Sequence, residues 1–338
     1  MNSHILDLHG IRHHEVDLMV ENFIYLNQEE MPLTIICGNS SKMISIVKEV
    51  LERSHSEYRE GQGSEYGQIK VFKLSLFMNI EQIGPVGAEI TDIDLSITDR
   101  IPAEAIKEAF LKYSVLVFKN QELSPKDLRN VSLVWGEPLI HPVFKGMEDY
   151  PEIIKIKNLG EKYHTNAHWH SDVTFEEEPP NATLLYSIEI PDTGGDTLFS
   201  NQYLAYEDLS ESYKDYLDNK VAIHSNLGVL ILAGGEAKDA KEVEHPIFRT
   251  HPETGRKPLY VTEAFVKQIK DVESEISQET LSKLYKHSSD KNYVYRHKWT
   301  KGDLVVWDNR CVLHYAEHGY GDQNRTMHRI TTAGSKPF

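Results

Sequence analysis

The stretch Trp169-His170-Ser171-Asp172 decides how the rest of the chain is interpreted. His170 and Asp172 are two residues apart, so on an extended strand both side chains would point to the same face. One imidazole and one carboxylate from a strand, joined by a distant imidazole, form a facial triad that leaves three positions open on a ferrous ion. Zinc accepts the same ligands, although hydrolytic zinc sites more often use the helical H-E-x-x-H spacing. The stretch therefore predicts a metal site and favours oxygen chemistry at iron.

Two later runs strengthen this interpretation, because a lone H-x-D pair is weak evidence in a chain with 17 histidines. Residues 194–197 read Gly-Gly-Asp-Thr, and residues 307–314 read Trp-Asp-Asn-Arg-Cys-Val-Leu-His, which supplies the distant imidazole, His314. Further on, Arg325 and Arg329 are four residues apart, and on a strand this spacing keeps both on one face. Two inward cations imply two anionic ligands, because a buried arginine without a partner is costly.

Composition excludes several classes of protein. The chain of 338 residues is 40% hydrophobic and 26% charged, which is typical of a globular protein with a real core. Its net charge of −16 argues against general affinity for nucleic acid. Cys37 and Cys311 are far apart and imply no disulfide framework. No signal peptide and no run of about 20 apolar residues is present, so we expect a cytoplasmic protein that does not bind membranes.

Residues 1–75 predict a small α/β domain. Apolar residues at helical spacing indicate helices over 15–26 and 42–54, with Ser41 as the cap of the second helix. Short apolar runs indicate strands at 5–10, 33–37 and 68–74.

The opening Leu6-Asp7-Leu8-His9-Gly10 and the final glycine-rich turn resemble the Smr domain, a module that binds or nicks nucleic acid. That family usually carries H-G-x-G after its second strand. Here the matching residues, 37–40, read Cys-Gly-Asn-Ser, so the histidine and the second glycine are absent. This departure favours a structural role for the Smr-like domain over nuclease activity. An RNA-associated role through residues 1–75 is the alternative.

Residues 79–338 predict a second domain rich in short strands. Strands are expected at 89–93, 114–118, 152–156, 182–188, 196–201, 221–225, 258–261, 293–298, 303–307 and 326–333. Helices are expected at 102–112, from Ser124 to about Trp135, at 205–217 and at 278–287. Many short strands with interposed helices suggest a jelly-roll barrel, that is, a double-stranded β-helix with inserted helices.

Taken together, the runs at 169–175, 194–197 and 307–310, with His314 and Arg325, resemble the taurine dioxygenase (TauD/TfdA-like) family. Members are dioxygenases that use Fe(II) with 2-oxoglutarate and O2 as co-substrates. The resemblance implies that His170, Asp172 and His314 ligate iron and form the catalytic centre. It further implies that Arg325 holds the distal carboxylate of 2-oxoglutarate, a geometry that suits a guanidinium fork, with a hydroxyl from Thr197.

Four further matches concern the substrate. In the taurine enzymes an arginine at the position of Arg329 grips the sulfonate, and His141, Asn166 and Phe265 also match substrate residues. These matches imply a small anionic substrate, first a sulfonate such as taurine, which would yield an aldehyde and sulfite beside succinate and CO2. Phe144 replaces a tyrosine of those enzymes, and the stretch after His224 differs, so another sulfonate, a carboxylate or an aryloxyacetate stays open. The family often forms oligomers, so a homo-oligomer is expected.

Overall fold

The computed structural model describes residues 4–54, 56–74, 78–97, 101–158 and 168–338. By contacts between Cα atoms the chain divides into two compact units. The first comprises Met1–Ile80, Ile90–Asp94 and Asp99–Glu108, and the second comprises the remaining residues. The predicted boundary between residues 75 and 79 stays a prediction.

The N-terminal part of the first unit is a four-stranded sheet with two helices. β1 is parallel to β2, and the antiparallel neighbours β4 and β3 complete the order β1-β2-β4-β3. The predicted three strands and two helices are present, while β3 was not predicted, and the identity of the unit as an Smr domain stays a prediction. The elements are β1 (Ile5–Asp7), α1 (His13–Leu26), β2 (Leu33–Ile36), α2 (Ser41–Arg53), β3 (Ser56–Glu60) and β4 (Gln68–Leu74).

The helices form where the apolar spacing predicted them. Val16, Val20 and Ile24 lie four residues apart on α1 and are fully buried, which is the stripe that an amphipathic helix presents to a core. The predicted cap of α2 was wrong by one residue. Ser40, not Ser41, precedes the helix, and its hydroxyl accepts a hydrogen bond from the Met43 amide at 3.2 Å.

The chain from residue 79 onward carries fourteen strands and six helices among its described residues. The strands are β5 (Asn79–Gln82), β6 (Ala88–Thr91), β7 (Val115–Phe118), β8 (Pro138–Leu139), β9 (Ile154–Lys157), β10 (Ala182–Glu189), β11 (Thr197–Asn201), β12 (Val221–Ser225), β13 (Glu242–Pro246), β14 (Val266–Ile269), β15 (Val294–His297), β16 (Leu304–Asp308), β17 (Val312–Ala316) and β18 (Thr326–Thr332). The helices are α3 (Ala103–Tyr113), α4 (Pro125–Ser132), α5 (Gln202–Glu207), α6 (Glu211–Leu217), α7 (Leu227–Leu232) and α8 (Ser274–Ser288).

Three sheets organise these strands. The largest has the order β5-β6-β7-β16-β10-β18-β8, with β9 also paired to β18; the second is β15-β11-β17, and the third is β13-β12-β14. One apolar core joins the first two sheets: Val117 and Leu185 of the large sheet pack in one cluster with Phe199 and Val312 of the small sheet. A large and a small sheet of non-consecutive strands around a shared core are consistent with the predicted jelly roll.

Two local predictions were wrong. The expected strand at 258–261 is reduced to a single bridge between Leu259 and Phe248, since Pro258 cannot donate a ladder hydrogen bond. The expected helix at 205–217 is two helices, α5 and α6, and Ser210 begins the second by accepting a hydrogen bond from the Tyr213 amide. None of the helices in the described ranges is long and apolar enough to span a bilayer.

Candidate active site

The backbone conformation at His170 and Asp172 differs from the predicted strand. Residues 170–172 are not a strand. His170 forms one bridge with His314 of β17, in which each backbone N–H donates to the other carbonyl, at 3.0 and 2.8 Å. A turn follows, with Val173 at φ +53°, a conformation that β-branched residues rarely adopt. The bridge to β17 fixes the backbone at His170, and the turn that follows brings the Asp172 side chain to the same site.

The three predicted ligands form one buried cluster. Nε2 of His170 and Nε2 of His314 lie 3.9 and 3.7 Å from Oδ1 of Asp172, and the three ligand atoms are all within 4.8 Å of one another. Nδ1 of His170 is 2.7 Å from the His168 carbonyl, which fixes the proton there and leaves the Nε2 lone pair free. Burial lowers the pKa of both imidazoles, so they stay neutral, as metal ligands must be.

A chain of hydrogen bonds orients the carboxylate. The Thr183 hydroxyl donates to Oδ2 of Asp172 at 2.7 Å and accepts from Asn309 Nδ2 at 2.8 Å. Oδ1 of Asn309 accepts from the Asp172 amide and from Trp307 Nε1. Oδ2 is therefore occupied, and Oδ1 faces the two imidazoles. Two imidazoles and one carboxylate oxygen, all buried and convergent, fit a ferrous ion with open coordination positions.

Arg329 also contacts this carboxylate. Its Nη2 lies 2.7 Å from Oδ1 of Asp172. Burial alone would raise the pKa of Asp172, but the charge of the Arg329 guanidinium holds that pKa well below its usual value. The sequence predicted an inward arginine with an external anionic partner. That external partner stays a prediction, and in the structure an internal anion, Asp172, stands beside Arg329.

Arg325 and Thr197 lie together in a cavity next to His314 that Arg329 also lines. Arg325 is largely buried and donates a 3.4 Å hydrogen bond to the Gly195 carbonyl, and its Nε has no hydrogen-bond partner among the residues that the structure describes. The Thr197 hydroxyl oxygen accepts from Trp299 Nε1 at 2.9 Å, so its proton is available for another acceptor. The cavity therefore presents a guanidinium and a hydroxyl, which is a donor set for a carboxylate.

Gly195 makes this arrangement possible. Its φ is +74°, in the left-handed region, and a Cβ at this position would lie 3.2 Å from Arg325 Nε. Any side chain would therefore be strained and would press on the guanidinium.

Two of the three remaining predicted residues lie close to the cluster. His141 is buried, and its Nδ1 accepts from the Val143 and Phe144 amides at 3.1 and 3.0 Å, so Nε2 carries the proton. Burial, then the nearby Arg329, lowers the pKa of His141 to about 4. The Phe265 ring meets the His170 ring edge-on, with centroids 6.0 Å apart. Asn166 lies outside the described residues.

The profile of the family described as "Taurine catabolism dioxygenase TauD, TfdA family" matches residues 79–331. The chain belongs to this family. TauD/TfdA enzymes are 2-oxoglutarate-dependent dioxygenases that use Fe(II) and O2, and this chain is therefore such an oxidoreductase. The His-Asp-His cluster described above fits that requirement.

Several proteins and one solved structure are similar to this TauD/TfdA chain in sequence over most of its length. An alkylsulfatase of Acinetobacter baylyi is 34% identical over 269 residues, 74% of this chain and 83% of the relative. An alpha-ketoglutarate-dependent sulfate ester dioxygenase of Pseudomonas putida is 33% identical over 270 residues, 75% of this chain and 88% of the relative. Other relatives are described as sulfonate and 2,4-dichlorophenoxyacetate dioxygenases. The crystal structure of a putative alpha-ketoglutarate-dependent taurine dioxygenase from Burkholderia xenovorans superposes with a TM-score of 0.69 at 32% identity, covering 77% of this chain and 93% of that one.

Sequence reasoning missed Thr183, Trp299 and the contact between Arg329 and Asp172. Thr183 could have been noticed as a hydroxyl within the apolar strand β10, where a buried polar group needs a partner. No local pattern signals that Trp299 supports Thr197, because 102 residues separate them.

Proposed function

We propose that this TauD/TfdA enzyme hydroxylates the carbon that carries the sulfonate or sulfate group of a small organic substrate. One observation carries the proposal: two largely buried arginines, Arg325 and Arg329, line a single cavity beside His314. Two guanidinium groups in one cavity match two anionic ligands, the co-substrate and the substrate. The hydroxylated product would collapse to an aldehyde with release of sulfite from a sulfonate, or of sulfate from a sulfate ester.

His170, Asp172 and His314 would hold the Fe(II). Bound iron supplies the oxidising chemistry, in which O2 and 2-oxoglutarate are consumed and succinate and CO2 are formed. The protein fixes the ligand geometry through the hydrogen bonds of His170 Nδ1 and Asp172 Oδ2, and burial excludes water from the three ligands. Arg325 and Thr197 would bind the distal carboxylate of 2-oxoglutarate through the guanidinium and the free hydroxyl proton.

Arg329, His141 and Phe265 would bind the substrate. The fixed tautomer of His141 gives an Nε2–H donor that suits an anionic oxygen, and Phe265 supplies an apolar wall next to His170. A matching role for Asn166 is proposed from the sequence alone. The relatives named as acting on sulfate esters support a sulfur oxyanion, and taurine is one sulfonate within this class.

A carboxylate or aryloxyacetate is the second candidate substrate. A guanidinium fork binds carboxylates as well as sulfonates, and one relative is described as a 2,4-dichlorophenoxyacetate dioxygenase, 36% identical over 177 residues. The chemistry at the metal would be the same.

The test measures succinate formation by Fe(II)-loaded protein with 2-oxoglutarate and O2. Taurine, alkanesulfonates, alkyl sulfates and aryloxyacetates are compared, with sulfite and sulfate as second readouts. We expect turnover with a sulfonate or sulfate ester that releases the corresponding sulfur anion and is lost in Arg329→Gln. Arg296→Gln is the matched control, because Arg296 is a partly exposed arginine paired with Asp196 and Glu317. Turnover with aryloxyacetates alone would replace the substrate class, and no Fe(II) binding would overturn the proposal.

A further inference from the structure

The contact between Arg329 and Asp172 involves one particular carboxylate oxygen. Oδ2 of Asp172 is held by the Thr183 hydroxyl at 2.7 Å, whereas Nη2 of Arg329 lies 2.7 Å from Oδ1. Oδ1 is also the oxygen that lies 3.9 and 3.7 Å from the Nε2 atoms of His170 and His314. The guanidinium therefore approaches the same oxygen that a metal ion would use.

This pairing leaves much of the arginine unsatisfied. The Arg329 side chain is 11% exposed, and neither its Nε nor its Nη2 has a hydrogen bond of good geometry within the described part of the chain. The contact is thus an electrostatic attraction to a single carboxylate oxygen. A guanidinium can donate up to five hydrogen bonds. An anion with two or three oxygens would satisfy the fork better than this one carboxylate oxygen does.

We infer that Arg329 competes with the metal ion for Asp172, and that an anionic substrate removes this competition by drawing Arg329 to itself. The inference rests on the proposed function, which assigns Arg329 to the substrate and Asp172 to the metal. A divalent ion at Oδ1 would face a buried, unpaired guanidinium, and in a low-dielectric site this repulsion weakens metal binding. An anion seated on Arg329 neutralises that charge, and by linkage the metal in turn strengthens binding of the anion.

Arg325 offers a matched comparison. It is also a largely buried cation that lines the same cavity, but within the described ranges its hydrogen bond goes to the Gly195 carbonyl, and its guanidinium lies 5.8 Å from the centre of the Tyr320 ring. Among the described contacts it has none with Oδ1 of Asp172. A variant of Arg325 therefore removes a positive charge from the cavity without removing the group that competes for Asp172, whereas a variant of Arg329 removes both.

The experiment measures Mn(II) affinity by the electron paramagnetic resonance signal of the free ion, without 2-oxoglutarate. The wild-type chain, Arg329→Gln and Arg325→Gln are titrated with and without butane-1-sulfonate, which does not chelate the metal. In the wild type we expect the sulfonate to tighten Mn(II) binding about tenfold, within the usual range of coupling between two sites. Arg329→Gln should bind Mn(II) about tenfold more tightly than the wild type without sulfonate, and should no longer respond to it. Arg325→Gln should keep the sulfonate response.

The sign of the effect protects the test from damage to the fold, because a misfolded variant would bind metal more weakly. Equal or weaker Mn(II) affinity in Arg329→Gln would overturn the inference, as would an intact sulfonate response in that variant. The comparison without sulfonate does not depend on the substrate class. If the substrate assignment is incorrect, Arg329→Gln should still bind Mn(II) more tightly than the wild type. If Arg329 does not compete with the metal, this tighter binding should be absent even when sulfonates are turned over.

Discussion

Two buried clusters in this enzyme contain similar side chains but differ in whether they could bind a metal ion. His170, Asp172 and His314 form one, and His251, Asp308 and Cys311 form the other; in each, the three possible ligand atoms lie within 4.8 Å of one another. In the first, Oδ1 of Asp172 faces two neutral imidazoles, and Arg329 Nη2 lies 2.7 Å from it without a hydrogen bond of good geometry among the described residues. In the second, Arg310 donates to both oxygens of Asp308, at 2.8 Å each, and His251 Nε2 is 3.1 Å from Oδ2. The second cluster is thus an ion pair in which both oxygens of Asp308 have partners, and we call it the closed cluster. The cluster of His170, Asp172 and His314 is called the open cluster.

The thiol of Cys311 leads to the same conclusion. Burial, then the neighbouring Asp308, raises its pKa to about 12, so the thiolate that would bind a metal does not form at neutral pH. The comparison teaches that residue type and proximity do not make a metal site. What decides is whether a carboxylate oxygen is left without a saturating partner, and whether the other ligands are in their metal-binding protonation state.

The largest expected effect is on stability at the closed cluster. Asp308→Ala leaves the buried Arg310 without its bidentate partner, and loss of one member of such a pair costs about 3–5 kcal/mol of unfolding free energy, measured by urea denaturation. The double variant Asp308→Leu/Arg310→Met should recover most of this loss. A cost below about 1 kcal/mol in the single variant would show that the pair is not closed as described.

The next effect concerns metal-dependent stability. Mn(II) at about 100 times its dissociation constant should raise the unfolding free energy by about 2.7 kcal/mol. His314→Gln should lose this increment, because it removes a ligand, and Cys311→Ala should keep it, relative to each variant's metal-free stability. Retention in His314→Gln, or loss in Cys311→Ala, would reverse the assignment of the two clusters.

His245 shows how a buried histidine behaves when its partners are carbonyls. Its Nε2 is 2.9 and 3.0 Å from the carbonyls of Thr174 and Glu176, and burial lowers its pKa to about 4. The pKa in the unfolded chain is about 6.5, so its contribution to stability is complete above pH 6.5 and is lost as the pH falls toward 4. Between pH 7 and 5 the wild type should lose about 2 kcal/mol from this residue. Chemical denaturation of His245→Gln should show a shallower pH dependence, and an unchanged slope would contradict the prediction.

The smallest effect tests the support of the open cluster. Thr183→Val removes the hydrogen bond to Oδ2 of Asp172 and the acceptor for Asn309, and loss of such a support typically weakens metal affinity about tenfold, or about 1.4 kcal/mol. Ser187→Ala on the same strand is the control, because that hydroxyl donates to the Thr300 carbonyl instead. If both variants bind Mn(II) equally well, the hydrogen bond does not orient the ligand.

Local patterns predicted much of the fold. Helices α1, α2 and α4 begin within about two residues of their predicted starts, because capping and apolar spacing act within a few turns. At α4, Ser124 and Asp127 cap the helix reciprocally, and Pro125 occupies its first turn. The third sheet was only partly predicted, since two of its strands, β13 and β14, depend on pairing with β12 and have weak patterns of their own.

By itself, the sequence predicted which residues would carry the chemistry: the two histidines and the aspartate of the triad, and the pair Arg325 and Arg329. The structure brings the first three into one cluster and places both arginines in a cavity beside His314. Their types and spacings are local properties, and donor chemistry limits what such a set can bind. The tertiary structure alone decided how Asp172 is presented. The bridge to β17 and the turn at Val173 replace the expected strand, Thr183 occupies one oxygen, and Arg329 approaches the other. These features arise from contacts between residues that are distant in sequence, because a buried charge takes its partners from whichever elements the fold packs around it.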